Sequence, residues 1–173
     1  MYTPKNNAPL DAMAKLCGFP GKLGMDGSQQ LVRDTWTLLS AAQAQRLVDF
    51  KLGHLPIAHA EPDLTAQVWQ NLLHNAWKYT AAVPDARIRV FSQDSEGRRH
   101  YCVNDNGAGF NMARADKLFQ PFQRLHQPHE FAGLGIGLAT ARRIVQRHGG
   151  TMRAEGAPGQ GATFCFTLPD GVE

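Results

Sequence analysis

Three groups of residues have the types and spacing to do chemistry. The first is Asn71, Asn75 and Lys78, four and three apart in a stretch of helical periodicity from Pro62 to Tyr79. At 100° per residue they share one narrow stripe, opposite a broad apolar arc of Val68, Trp69, Leu72, Leu73, Ala76 and Trp77. Asparagine suits a helix interior poorly, because its short amide competes for backbone hydrogen bonds, so two of them beside a lysine ask for a reason. Amide oxygens can ligate a hard cation such as Mg²⁺, which shares phosphate oxygens, and a lysine meets those phosphates as a point charge. The plainer alternative is a solvated helix face. The second group is Asp105-Asn106-Gly107-Ala108-Gly109-Phe110, directly after a strand pattern at Arg99–Val103. Its glycines let backbone come close to a ligand, and the aspartate can accept from an amino group such as that of adenine. A tight turn with an Asx cap is the competing account. The third is Gly133-Leu134-Gly135-Ile136-Gly137-Leu138, opening a helix that runs to about His148. Such a glycine-led start leaves free N–H groups and the positive dipole end facing outward, an anion site in waiting.

Two familiar phosphate motifs fail on context. A dinucleotide fingerprint needs a strand before its glycines, and a Pro/His-rich stretch stands there instead. Gly18–Leu23 is no Walker loop, since Lys22 is followed by leucine where serine or threonine is needed.

The elements that must position these groups follow from periodicity and turn residues. Residues 1–28 are interrupted by Pro4, Pro9, Pro20, Gly18, Gly21, Gly24 and Gly27 and read as a loop-rich leader or fusion fragment, with the regular domain at 29–173. A helix is expected from Leu31 to about Gln43, a strand over Arg46–Leu52 and a short second strand within Leu55–Ala60. The long helix Pro62–Tyr79 has its proline well placed in the first turn. Ala86–Ser92 and Arg99–Val103 form a hairpin around Asp94–Gly97, and a short helix near Met112–Phe119 precedes the aperiodic stretch Gln120–Phe131. The helix Gly135–His148 is capped by Gly149, and Thr151–Glu155 with Ala162–Leu168 make a last hairpin around Pro158–Gly161. This order predicts an α+β two-layer sandwich, its mixed, mostly antiparallel sheet covered on one face by helices.

Composition narrows the class. With 173 residues, 43% hydrophobic and 19% charged, the chain can bury a core and is not a disordered polypeptide. A net charge of +3 spread along the sequence argues for no nucleic-acid partner. No apolar run reaches the roughly 18 residues of a membrane span, and the first residues lack a signal-peptide pattern, so a cytoplasmic domain without membrane contact is expected. Cys17, Cys102 and Cys165, odd in number and widely spaced, suggest neither a disulfide framework nor a zinc knuckle; Cys102 and Cys165 read as core fillers on strands.

Taken in order, Asn71–Thr80, Asp105–Phe110, Phe119–His126 and Gly133–Ala139 resemble the N, G1, F and G2 boxes of the ATP-binding domain of sensor histidine kinases. That family belongs to the Bergerat-fold ATPases, with gyrase, the MutL repair proteins and the ninety-kilodalton heat-shock chaperones. The likeness runs from about Gln30 to Pro169. Ala76-Trp77-Lys78-Tyr79 and Phe122-Gln123-Arg124-Leu125-His126 look most like phytochrome-type kinases. A second, looser likeness, in Pro9–Ala12 and Gly18–Ser28, is to a fragment of polymerase-B-related 3′–5′ exonucleases. No full set of nuclease carboxylates accompanies it, and it is assigned no activity.

The resemblance implies roles for particular residues. Asn75 would ligate the Mg²⁺ of Mg-ATP, with Asn71 lining the same pocket and Lys78 and Tyr79 close to the nucleotide. Asp105 would accept from the adenine amino group, with Gly107, Gly109 and Phe110 shaping that turn. Gly133, Leu134, Gly135, Ile136, Gly137 and Leu138 would form the phosphate side, and Arg124 would reach the γ-phosphate. A flexible ATP lid is expected over about 111–132. Water-activating members of the superfamily carry a glutamate four residues before the metal-binding asparagine. Asn71 stands there, and a carboxamide is no general base at neutral pH. Phosphoryl transfer rests on positioning and charge neutralisation, and an imidazole acceptor needs little base help, so a kinase is favoured over a hydrolase. The alternatives are an ATP hydrolase or serine kinase of the superfamily, or a non-catalytic ATP-binding module. The family's H box is missing, because no histidine precedes His54; the phosphoacceptor is expected on a separate histidine-containing dimerisation domain, with a response regulator downstream. His126, His129 and Glu130 read as lid surface in preference to a metal site. His74 reads as solvent-facing or near the phosphates, and Phe119, Phe122 and Phe131 as apolar anchors of the lid.

Overall fold

The computed structural model describes residues 22–23, 25–56, 58–121 and 137–169. In chain order the elements are β1 (Lys22–Leu23), α1 (Met25–Ala42), β2 (Asp49–Leu52), β3 (Ala58–His59), α2 (Pro62–Tyr79), β4 (Arg87–Ser95), β5 (Arg98–Asp105), a 3₁₀ helix (Met112–Lys117), α3 (Gly137–Arg147), β6 (Met152–Gly156) and β7 (Ala162–Thr167). Five strands form one sheet in the order β2-β4-β5-β7-β6, with β2 parallel to β4 and every other pair antiparallel. The expected α+β two-layer sandwich is what the chain adopts.

α2 lies between α1 and α3 and packs on the sheet. Its apolar arc is buried as the periodicity predicts: Val68, Trp69, Leu72, Leu73, Ala76 and Trp77 are all inside. Trp69 meets Tyr101 of β5 and Phe166 of β7 edge-on, at centroid distances of 6.4 and 5.0 Å. Each fully buried leucine or valine contributes about 1.5–3 kcal/mol, which outweighs the roughly 0.7 kcal/mol or less that an asparagine costs a helix. Burial therefore keeps α2 helical in spite of Asn71 and Asn75.

α2 starts with Glu61 at its N-cap and Pro62 in the first turn, and no side chain of its own caps it. His148, just past α3, supplies the tie. Its Nε2 accepts the Glu61 backbone N–H at 3.0 Å, while Nδ1 donates to the Ile144 carbonyl at 2.8 Å. The imidazole thus pins the start of α2 to the end of α3. His148→Ala is expected to lower the free energy of unfolding by about 2 kcal/mol, through a lost hydrogen bond and a vacated buried site; urea denaturation measures it.

The structure corrects the sequence reading in several places. α1 begins at Met25, inside the segment assigned to the leader, and Ser28 is fully buried. The strand expected over Arg46–Leu52 is shorter, Asp49–Leu52, because its partner β4 begins at Arg87, opposite Asp49. The β4–β5 turn is only Glu96-Gly97, both at positive φ (56° and 72°), the mirror-image geometry that matches strand twist. Cys102 and Cys165 are not free core fillers but a disulfide. They stand directly opposite each other in the β5–β7 register with Cα atoms 4.2 Å apart, a juxtaposition that a sequence separation of 63 conceals. Among the described residues, no helix is long and apolar enough to cross a membrane.

Candidate functional site

Asp105 closes β5 on the helix side of the sheet, two residues on from Val103 and four from Tyr101, both of which are buried there. It is 4% exposed. Burial pushes its carboxyl up to about 6, against the pull of N–H groups from Gly107 and Ala162, which hydrogen-bond to it. The Gly107 N–H lies 2.8 Å from Oδ1. Among the described residues these backbone donors are what counters burial. The carboxylate is therefore held in place but incompletely compensated, a state suited to a ligand that brings a donor.

The turn after Asp105 is clamped against α2. Ala108 N–H donates to the Tyr79 carbonyl at 3.0 Å, and a Cβ on Gly107 would come within 2.3 Å of that same oxygen. Asn106 holds the other flank: its Oδ1 accepts from Arg87 N–H at 2.7 Å and its Nδ2 donates to Asp85 O at 3.0 Å. Gly109, at φ 62°, backs onto the Ala157 carbonyl. Phe110 is buried and packs on Phe164 at 6.2 Å, so it belongs to the core beneath the turn.

The carboxamide stripe of α2 meets the glycine-led helix. A Cβ on Gly137, the first residue of α3, would lie 3.2 Å from Asn71 Oδ1. The carboxamide thus lies beside the first described turn of α3, the positive end of that helix dipole. Asn71, Asn75, Lys78 and Tyr79 are half-buried along this stripe, with Lys78 Nζ 4.8 Å from the Tyr79 ring centre. His74 is exposed. Leu138 packs against the core from the start of α3. Phe119 anchors the segment after the turn, edge-on to Phe164 at 6.5 Å with the Arg142 guanidinium 5.2 Å from its ring. Arg124, Gly133, Leu134, Gly135 and Ile136 lie outside the described residues, as do Phe122, His126, His129, Glu130 and Phe131. Of the expected lid, the described part forms the 3₁₀ helix Met112–Lys117, capped by Asn111, whose Oδ1 accepts from Ala113 N–H at 2.9 Å.

Among the described residues no three histidines, cysteines or acids cluster to hold a metal by themselves. The donor set that exists, carboxamides on a half-buried stripe, fits a Mg²⁺ that arrives already chelated by phosphate and needs one protein oxygen.

Sequence reasoning missed the contribution of the Pro158–Gly161 turn. Gly159 N–H donates to the Ala108 carbonyl at 2.7 Å, Ala162 N–H reaches the Asp105 carboxylate, and a Cβ on Gly161 would lie 2.0 Å from the Asp105 carbonyl. The glycine pair Gly159/Gly161 was the available signal, legible only as a hairpin turn.

Comparison with known proteins shows the family and the fold. The profile of the family described as histidine kinase-, DNA gyrase B- and HSP90-like ATPase matches residues 60–172. A second profile, a predicted 3′–5′ exonuclease related to the exonuclease domain of PolB, matches residues 1–51. Yet α1 and β2, within that span, pack into the sandwich, with β2 parallel to β4. Adaptive-response sensory kinase SasA of Synechococcus sp. (strain JA-2-3B'a(2-13)) is 36% identical over 141 residues, 82% of this chain and 37% of that protein. Phytochrome-like protein Cph1 of Synechocystis sp. (strain ATCC 27184 / PCC 6803 / Kazusa) is 34% identical over 71% of this chain and 16% of its own length. The chain thus spans well under half of these curated relatives. The catalytic domain of histidine kinase ThkA superposes with a TM-score of 0.68 at 23% identity, covering 87% of this chain and 95% of that one. Full-length ShkA in complex with AMPPNP gives 0.68 at 26% identity, over 83% of this chain and 30% of its own. With its two-layer fold, its buried aspartate turn and this family match over most of its length, the chain belongs to the histidine kinase-, DNA gyrase B- and HSP90-like ATPases.

Proposed function

We propose that this chain is the Mg-ATP-binding catalytic part of a sensor histidine kinase, passing the γ-phosphoryl group to a histidine on a separate phosphoacceptor domain in two-component signalling. The observation that carries the reading is Asp105, a buried carboxylate at the mouth of a turn whose backbone is pinned on Tyr79 and which, among the described residues, two backbone N–H groups meet. An adenine amino group supplies a further donor to that carboxylate. The kinase names of the relatives and the AMPPNP complex of ShkA support the same reading.

In this arrangement α2 and the start of α3 handle the triphosphate. Asn71 and the start of α3 orient the phosphate chain and Lys78 offsets its charge; Asn75 would hold the Mg²⁺ that the nucleotide brings, and a bound Mg²⁺ would supply neutralisation of phosphate charge there. Arg124, Gly133 and Gly135, outside the described residues, would contribute to the phosphate side as the family resemblance implies. Asn71 cannot take a proton from water, so the bound γ-phosphate survives until an imidazole nitrogen reaches it. The rival reading, an ATP hydrolase, requires a base that the α2 stripe does not carry.

The test adds a purified histidine-bearing phosphoacceptor domain and γ-labelled ATP to the chain. Acid-labile, alkali-stable label on the acceptor is the expected product. ATP hydrolysed with no label transferred refutes the kinase reading. Asn75→Ala is expected to make ATP binding nearly independent of Mg²⁺ in calorimetry; a magnesium response like that of the parent protein refutes the assigned role of Asn75.

A further inference from the structure

Arg46 follows α1, in a loop far in sequence from every motif above, yet its guanidinium closes the end of α2. It donates to the Trp77 carbonyl and, at 2.5 Å, to Thr80 Oγ1, and it lies 4.4 Å from the centre of the Trp77 ring. Thr80 Oγ1 in turn contacts the Ala76 carbonyl at 2.7 Å, and Gln43 Oε1 accepts from Trp77 Nε1 at 3.1 Å. Trp36 completes the seat, edge-on to Trp77 at 5.3 Å and stacked on Phe50 at 4.0 Å. A helix C-terminus exposes carbonyls that need donors, and a cation there also opposes the negative dipole end.

What this end of α2 carries decides what Arg46 does. Between the two residues that Arg46 grips lies Tyr79, whose carbonyl accepts from Ala108 N–H and sets how closely Gly107 approaches. Gly107 N–H in turn fixes Asp105 Oδ1. An unbroken path of short contacts therefore runs from Arg46 through Trp77 and Thr80 to Tyr79, the Gly107-Ala108 peptide and the Asp105 carboxylate.

We infer that Arg46 is a positioning residue for base recognition, holding the last turn of α2 so that the Asp105 turn presents its carboxylate to adenine. The inference deepens the proposed nucleotide function and rests on it.

The experiment compares ATP and GTP affinities, by calorimetry, for the parent protein, Arg46→Gln and Arg46→Lys. In Arg46→Gln the ratio of GTP to ATP dissociation constants is expected to fall about tenfold, the effect of losing a charge-assisted pair of hydrogen bonds. The triphosphate contribution is common to both nucleotides and cancels in that ratio. Arg46→Lys keeps the cation over Trp77 but not the two-pronged grip, and is expected to recover about half of the loss on a logarithmic scale. A purely structural role lowers the urea midpoint and leaves the ratio unchanged, and that result overturns the inference. If Arg46→Gln does not fold, the lysine variant decides alone: an unchanged ratio refutes the role. A parent protein with no preference for ATP instead refutes the nucleotide reading itself, so the two failures are distinguishable.

Discussion

Asp105→Asn is expected to stabilise the fold near neutral pH and, at the same time, to abolish preference for adenine nucleotides. Burial raises the Asp105 carboxyl from 3.8 to about 6 in the folded chain. Between those values the native state keeps a proton that the unfolded chain has released. Stability from this group is thus greatest below pH 3.8 and declines as pH rises towards 6, staying lower beyond it. The displacement corresponds to roughly 3 kcal/mol at pH 7. A neutral isostere avoids that cost, though its NH₂ confronts one of the two N–H donors, so the gain in urea denaturation is expected to be at most this size. Function runs the opposite way. Only the ionised carboxylate accepts freely from the adenine amino group, so the ATP-to-GTP affinity ratio of the parent protein is expected to fall up to tenfold per pH unit below about 6. Phosphate titration affects both nucleotides and drops out of the ratio. In Asp105→Asn the ratio is expected to be near one and flat from pH 5 to 8; a parent-like preference in the variant rules out Asp105 as the base reader.

What could be read from the sequence was whatever short-range periodicity records. α2 from Pro62 to Tyr79 was legible to the residue, because its apolar arc and its carboxamide stripe are separated by the same 100° rule that buries Trp69 and leaves His74 outside. The strands of both hairpins were found to within two or three residues. The parts that escaped depend on register and long-range approach. Cys102 meets Cys165 only because β5 and β7 align Tyr101 with Phe166. Gly161 looks like any turn glycine until the Asp105 carbonyl is seen 2.0 Å from where its Cβ would stand. Arg46 reads as the first residue of a strand, and nothing within thirty residues of it hints at Trp77. Local pattern therefore located Asp105 and Asn71, while the contacts that fix their geometry come from chain segments brought together by the sheet.

Gly107→Ala separates the steric demands of the turn from its backbone conformation, and it is expected to disable nucleotide binding. Gly107 is not at positive φ; it is glycine because of what faces it. Its Cβ would lie 2.3 Å from the Tyr79 carbonyl oxygen, 2.6 Å from the carbonyl carbon and 2.9 Å from Asp105 Oδ1. The Tyr79 backbone cannot withdraw, since Trp77 O and Thr80 on either side are held by Arg46. The turn must retreat instead, breaking the Ala108–Tyr79 and Gly107–Asp105 hydrogen bonds of 3.0 and 2.8 Å. Overpacking costs about 1–3 kcal/mol and each lost hydrogen bond about 1 kcal/mol, giving a total near 4 kcal/mol. ATP affinity is expected to drop by about two orders of magnitude, because the carboxylate loses its orienting donor. Gly97→Ala is the control. Gly97 sits at φ 72° in the β4–β5 turn with nothing within 4 Å, so alanine there meets only conformational strain of about 1–2 kcal/mol and no ligand effect is expected. Equal loss of ATP binding in the two variants would mean that general destabilisation, not the contact with Tyr79, sets the affinity.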